Sequence, residues 1–562
     1  MTLGRTPASS NLRGAAAGII AGGLALGVAQ LIAGLVSSGS SPVVATGQAA
    51  IDLTPAPVKN FAISSFGSND KIVLIAGILV VLAVFAAAIG IAAVRRPAWG
   101  WAGLGLFVVI GLVATLTRPH ASAEDAMPTL LGGVAAALAL RRLARLAAPP
   151  PAPPATTRQA RPEYTAPAPG DAADPPLREE WRPYLPAAGE PAAPGGPAAP
   201  PTPPARLPGP QRRSFLTSGA VLAGTAVVAG LGGRLLGEHG NVAAARSTLR
   251  IPPPTRPAPP LPSGADLNIP GLSSFITPSA SFYRVDTALV LPEITPSAWQ
   301  LRIHGMVARP VTLTYHDLLQ QPLLEDYITL CCVSNPVAGP YIGNARWLGV
   351  SVRRLLRQAG IRAGADQLLC TSADGFTCGT PVQTAMDGRD AMLAVAMNGQ
   401  ALPVAHGFPV RMVVPGLYGY VSACKWITDI EVTTFASARA YWTDRGWSQQ
   451  APIKTESRID VPGSGSLKAG RHAVAGVAWA QHKGIDAVEV RVDRGPWHQA
   501  RLGAVPGIDT WRQWAWQWDA APGTHLIESR ATDRTGYTQT ALQAPPEPNG
   551  ASGYPQVSVK VS

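Results

Sequence analysis

Four stretches in the first quarter of the chain are apolar with almost no polar interruption. They run from Ala15 to Val36, Ile72 to Val94, Trp99 to Leu116 and Pro128 to Leu140. The first three match the length that a bilayer core requires, and the fourth is shorter. The pattern predicts about four membrane helices over residues 1–147; the alternative, a buried globular hairpin, fits such continuous apolarity poorly. Arg5 and Arg13, the Arg95–Arg96 turn, and Arg141, Arg142 and Arg145 all fall on one side. The positive-inside rule makes that side cytoplasmic, so the loops Ser37–Lys71 and Thr117–Ala126 face outward. None of these runs contains a His, so the bundle offers no axial pair for a haem. It also lacks the intramembrane charge expected of a transporter.

Residues 148–210 are rich in Pro, Ala and Gly with scattered charge. Such a stretch buries too little apolar surface to fold and reads as an extended cytoplasmic linker. After it come Gln211-Arg212-Arg213-Ser214-Phe215-Leu216 and the apolar run Ala220 to Leu231. One reading is a fifth anchor with basic residues inside. The sharper reading is a twin-arginine-like signal over 211–236, used to export proteins already folded. In both cases residues beyond about 240 lie outside the cytoplasm. A spacer is expected over 237–264, with Pro252–Pro262 at its centre.

The remaining pattern is globular. Trp299 to His304 alternates apolar and polar residues as a half-buried strand does. Thr314 and Asp317 have the spacing of a helix capping box. Ser351 to Gly360 reads as a short helix with a Ser N-cap and a Gly stop. From about Ser457 the alternation is purely β: Val488 to Val492 is a strand, Asp493 to Pro496 a turn, and Trp497 begins the return. Trp514, Trp516 and Trp518 share one strand face. These signals predict a mixed α+β domain over 265–448 and a β-sandwich over 449–562.

The net charge of +12 changes this picture little. Residues 1–236 carry 18 Lys+Arg against 10 Asp+Glu, and residues 237–562 carry 28 against 24. The excess flanks the apolar runs, and no basic stripe interleaved with aromatics supports binding to nucleic acid. All five Cys lie between 331 and 424, at spacings that match neither a disulfide framework nor a zinc site.

The chemistry concentrates in a few blocks. The first is Thr329-Leu-Cys-Cys-Val-Ser-Asn-Pro336, continued by Gly343-Asn-Ala-Arg-Trp-Leu-Gly349. Ser372-Ala-Asp-Gly-Phe376, His406-Gly-Phe-Pro-Val-Arg411, Pro415-Gly-Leu-Tyr-Gly-Tyr420 and Lys425-Trp426 follow. In this order they resemble the molybdopterin-binding domain of the sulfite oxidase family, and the β region resembles that family's immunoglobulin-like dimerisation domain. The resemblance covers roughly residues 265–560. It implies a molybdenum–molybdopterin cofactor with Cys332, the Cys before Val-Ser-Asn, as metal ligand. A thiolate there completes the soft sulfur set begun by the pterin dithiolene.

The resemblance further implies cofactor contacts from Tyr283, Arg284, Asp374, His406, Arg411, Gly416 and Lys425. Two residues after Arg284 the family often has His; here Asp286 stands there. Cys331 and Cys424 read as buried small hydrophobes, and Cys370 and Cys378 as buried thiols or a disulfide. Sulfite oxidases have an Arg-rich continuation after the ligand Cys. This chain has Val-Ser-Asn-Pro-Val-Ala-Gly and no Arg before Arg346. A dianion would bind poorly there, so sulfite is not the expected substrate, and Tyr341, Arg346 and Tyr418 become the expected catalytic-pocket residues.

The expected function is thus an extracytoplasmic, membrane-anchored molybdenum oxidoreductase. It would act on a small or sulfur-containing substrate by oxygen-atom or two-electron transfer. A separate electron partner, a cytochrome or a membrane component, is implied, as is a homodimer through the C-terminal domain. The competing class is a cofactor-free, membrane-anchored binding scaffold.

Overall fold

A computed structural model describes residues 7–36, 40–54, 58, 70–118, 121–148, 210–238 and 241–562. The linker expected at 148–210 falls almost wholly outside them, as does the side chain of Arg212.

The apolar runs become helices α1 (Pro7–Val36), α3 (Asp70–Arg95), α4 (Pro97–Leu116) and α5 (Met127–Ala147). The loop after α1 contains an unexpected short helix, α2 (Pro42–Leu53). The arginine-led run forms α6 (Pro210–Glu238). Among the described residues, four helices are long and apolar enough to cross a membrane: α1, α3, α4 and α6. Helix α5, the shorter fourth run, falls below that length-and-apolarity mark, and α6, expected as a signal or anchor helix, meets it. Helix α5 keeps Arg141, Arg142 and Arg145 on one turn and buries Ala136, Ala139, Leu140 and Leu143. Helix α1 is the hub, packing on α3, α5 and α6. It does so through small residues that let backbones approach. A methyl group at Gly27 would strike the Ala226 carbonyl of α6, and one at Gly34 the Gly233 carbonyl.

After α6 a short helix, α7 (Asn241–Thr248), leads into the globular part. The stretch expected as a spacer instead runs beside a strand. Thr255 N–H donates to Leu323 O at 2.9 Å, and Glu325 N–H donates to Arg256 O at 2.8 Å. Prolines leave carbonyls free to serve such an edge while donating nothing.

The α+β domain holds two sheets. One has the order β2 (Val311–Thr314), β1 (Gln300–Gly305), β10 (Ile427–Thr433), β5 (Gln367–Ser372), β6 (Thr377–Pro381). The other runs β3 (Leu323–Cys331), β4 (Ile342–Ser351), β7 (Met392–Met397), β8 (Gln400–Ala401), with β9 (Arg411–Val413) on β7. The capping box forms as read: Asp317 N–H donates to Thr314 Oγ1 at 3.2 Å and Thr314 N–H to Asp317 Oδ2 at 3.0 Å. It opens α8 (Tyr315–Leu319). Helix α9 (Val352–Ala359) starts at its Ser351 cap and stops at Gly360, whose φ of +71° only glycine adopts freely.

The C-terminal region is a pair of antiparallel-dominated sheets. One is β11 (Glu456–Val461), β13 (Gly470–Trp479), β17 (Arg512–Ala520), β16 (Arg501–Leu502). The other is β12 (Gly465–Leu467), β19 (Gln556–Val561), β18 (Gly523–Asp533), β14 (Ile485–Val492), β15 (His498–Gln499). Trp514, Trp516 and Trp518 all join the core between these sheets. Val477, Trp479 and Trp511 instead join the α+β core, so the two regions share apolar packing. Trp511 Nε1 donates across to Phe275 O at 2.9 Å.

Candidate active site

Strand β3 ends at Cys331, which is fully buried in the core, and the chain then turns so that Cys332 is partly exposed. The two adjacent thiols therefore face different surroundings. Cys332 N–H donates to Tyr341 O at 2.9 Å, and Tyr341 N–H donates to Asn335 Oδ1 at 2.8 Å. The Asn of Val-Ser-Asn thus ties the loop back on itself. Ser334 Oγ lies 2.9 Å from Cys332 Sγ. Burial raises the Cys332 thiol above its ordinary value, while Ser334 and the Lys425 charge work against that rise. The surroundings alone do not ionise it; a bound cation would.

A wall beside the Cys331–Cys332 turn is built from β9, the turn before it, and the start of α10 (Gly419–Ser422). A methyl on Gly419 would sit 3.6 Å from Cys331 O and 3.8 Å from Tyr283 Oη. Tyr283 stacks on Phe282 at 5.2 Å. Burial, then the neighbouring thiols, hold the Tyr283 phenol well above its ordinary value, so it is neutral and able to donate.

Arg411 lies on this wall, 3% exposed. Its guanidinium donates to His406 O at 3.2 Å and Ala423 O at 3.5 Å and lies 5.0 Å from the Trp347 ring centroid. No described carboxylate pairs with it. Burial lowers it to about 10, which still leaves it charged at neutral pH. His406 donates through Nε2 to Ser279 O at 3.1 Å. Burial, then Arg411 and Lys425, push His406 down to about 4, so it is neutral, and its buried Nδ1 has no partner.

The rim is different. Asp286 accepts from Lys425 Nζ at 3.0 Å and from Arg284 Nε at 2.8 Å. Burial lowers Lys425 to about 8, with Asp286 opposing that shift. Asp374 follows β5 and accepts from Phe376 N–H at 3.2 Å; burial, with Asp286 adding to it, raises its carboxyl.

Cys332, Tyr283, Arg284, Asp374, His406, Arg411 and Lys425 thus share one region. Two expected residues, Arg346 and Gly416, are engaged away from the thiol, and Tyr418, whose phenol feels the charges of Cys331 and Cys332, is anchored from the other side. Arg346 stands opposite Tyr327 in the β3–β4 register, four residues from the Cys331–Ile342 pair, or about 13 Å along the strand. Its guanidinium pairs with Glu325 at 3.3 Å. Gly416 has φ +83° and closely approaches Arg389 and His482. Tyr418 is buried with its hydroxyl under Gly550, accepting from Lys454 N–H at 3.5 Å. Tyr341 stays beside Cys332 through its backbone. Sequence reading assigned no role to Ser334, Asn335 or Asp286, although all three lie within or two residues from quoted motifs.

A family model described as the oxidoreductase molybdopterin binding domain matches residues 288–442. Sulfite oxidase of Gallus gallus is 30% identical over 325 residues, covering 48% of this chain and 69% of that protein. The chain belongs to the sulfite oxidase family. Family membership makes it an oxidoreductase with a molybdenum–molybdopterin cofactor. Mitochondrial sulfite oxidase of Rattus norvegicus is 29% identical over 289 residues, covering 44% of this chain and 52% of that protein. The chain thus spans about half the length of its mammalian relatives in the family. Nitrate reductase [NADH] 1 of Oryza sativa subsp. japonica is 34% identical over 196 residues, covering 30% of this chain and 21% of that protein. Among solved structures, the sulfane dehydrogenase SoxCD from Paracoccus pantotrophus is 25% identical, with a TM-score of 0.44, covering 51% of this chain and 81% of that one.

The residues present suit the family's cofactor. Arg411 is a buried cation without an anion, an arrangement that costs several kcal/mol unless an anion arrives. The orphaned Nδ1 of His406 is a second unmet polar group on the same wall. A pterin bearing a phosphate supplies both an anion and a polar edge.

Proposed function

We propose that this chain is a membrane-anchored, extracytoplasmic oxidoreductase whose cofactor is held between Cys332 and the Arg411 wall. The bound cofactor supplies two-electron chemistry. The protein supplies the thiolate of Cys332, a neutral His406, and the cations Arg411, Lys425 and Arg284 as donors to the anionic pterin. Ser334 orients the thiol, and Tyr283 and Tyr341 border the space beside it. The observation that carries this reading is the buried Arg411, paired with no described carboxylate, which shares the neighbour Tyr283 with the partly exposed Cys332.

The substrate proposed is small, of low charge and sulfur-containing, rather than sulfite. Residues 333–345 hold no Arg, and Arg346 is engaged with Glu325. Among the described residues, the cation that bears on the Cys332 thiol is Lys425, itself paired with Asp286. A dianion would therefore meet little attraction there.

Helices α1, α3, α4 and α6, with the shorter α5 as a fifth crossing, are proposed as the spans; α6 carries a twin-arginine-like signal, and residues 265–448 and 449–562 lie outside. Electrons pass to or from a separate partner, and the C-terminal sandwich is the proposed homodimer contact.

The test is metal analysis of the full chain purified from a molybdate-competent host. Near-stoichiometric molybdenum that drops at least tenfold in Cys332→Ala, with the fold intact, supports the reading. A well-folded wild type free of molybdenum sinks it. Turnover of sulfite above that of neutral sulfoxides on the same sample would overturn the substrate assignment.

A further inference from the structure

Three separate parts of the membrane bundle come together on the globular region near the cofactor wall. The first is the tether. Helix α6 ends at Glu238 and α7 begins at Asn241, leaving two residues, which span at most about 7 Å. Helix α7 is anchored at once: Arg246 Nε donates to Leu402 O at 2.7 Å, its Nη2 to Ala401 O at 2.9 Å, and Val242 joins the Trp347–Phe408 core.

The second is α2. A methyl on Gly47 would come within 2.7 Å of Leu289 Cδ1, three residues beyond Asp286. Ser40, Ser41 and Ala45 around it are buried, although the helix lies in the outward loop of the bundle.

The third is Arg118, just past the end of α4 and half-buried. Burial lowers its guanidinium, and the charges of Asp125 and Asp374 oppose that. Asp374 is the rim carboxylate that also senses Asp286. Two carboxylates at a buried rim repel each other, and a cation arriving from the bundle relieves this.

We infer that the outward end of the bundle docks on the rim of the cofactor cradle, with α2 packing on the Leu289 segment and Arg118 serving as the docking cation toward Asp374. The inference extends the outward-facing reading above, because the two loops involved are the ones that the arginine distribution puts on the outer side. The cofactor domain is then seated on the bundle rather than swinging on a tether, and the rim formed by Asp286 and Asp374 is turned toward the membrane surface.

The experiment uses the full chain in native membranes. Gly47→Cys with Leu289→Cys places two thiols at the α2 contact, where removing the leucine also removes the clash. Four of the five native thiols are fully buried, so background pairing is small. Under mild oxidation the pair should cross-link in most molecules, scored as a linked peptide by mass spectrometry. Adding Arg118→Glu should lower the yield severalfold, while Arg118→Lys should preserve it. No cross-link in the parent pair overturns the docking, and an undiminished yield with Arg118→Glu overturns the role of that residue. The cross-link needs no metal, so a molybdenum-free protein would sink the proposed function and leave this result readable.

Discussion

The inner wall and the rim of the cradle are built from the same kinds of residue and handle buried charge in opposite ways. At the rim, Lys425 and Arg284 converge on Asp286, so the charges are compensated within the protein. On the inner wall Arg411 has only carbonyl oxygens and an indole face. Glu456 shows a third solution. It is 6% exposed with an unpartnered Oε1, and burial pushes it up to about 8, so at neutral pH it sheds its charge by staying protonated. Arg411 cannot do this, because even lowered to about 10 it remains charged. The comparison teaches where an anion is missing. Paired rim charges are satisfied without a ligand, whereas the Arg411 charge is not.

The largest effect expected from this contrast is at Arg411. Arg411→Met would take away the charged donor proposed for the anionic pterin, worth about 3 kcal/mol, and should weaken cofactor retention on the order of 100-fold. The cofactor-free form should melt at the same temperature or higher, since a buried unpaired charge has gone. A cofactor-free variant that melts well below wild type would mean that Arg411 is compensated inside the protein, and the contrast would collapse.

Glu456 gives the next effect, through pH. Its folded pKa of about 8 lies above the ordinary carboxylate value, so the folded state binds the extra proton between about pH 4.5 and 8. Stability from this group is therefore greatest at low pH and declines as pH rises through that window. Glu456→Gln should flatten the decline, gaining on the order of 1–3 kcal/mol over wild type at pH 8 and little at pH 5. Thermal melts of both proteins across that range check it; parallel curves would refute the buried-acid reading.

The smallest effect is at the rim. Asp286→Asn releases Lys425 and Arg284 from their shared carboxylate. Affinity for inorganic phosphate, read by calorimetry on cofactor-free protein, should rise severalfold, and stability should fall by about 1–2 kcal/mol. Unchanged phosphate binding would show that the rim cations do not face the anion site.

Much of the fold was legible because it rests on local signals. Uninterrupted apolar runs, the Thr314–Asp317 box, the Ser351 and Gly360 stops and the Trp514–Trp518 alternation each depend on near neighbours in sequence. The cysteine pair was legible for the same reason, since adjacent residues leaving a strand meet different surroundings. Arg346 is engaged elsewhere because position after Cys332 says nothing about register, and β4 carries that side chain about 13 Å away to Glu325. Tyr418 and Gly416 fall inside a motif block yet face the sandwich, a contact made with residues more than 30 positions distant. The fourth apolar run, Pro128 to Leu140, is the shortest of the four. It stays in the bundle, packed on α1, while α6 completes the group of long apolar helices.

The free cysteines have a practical consequence. Cys331, Cys370, Cys378 and Cys424 are sealed inside the protein, while Cys332 alone retains an accessible face. Of the five cysteines, the folded chain therefore offers one partly exposed residue, at the position proposed to hold the cofactor. Alkylation stoichiometry becomes a gauge of loading: one adduct per chain on protein lacking the cofactor, none on protein that holds it, and more than one only after unfolding.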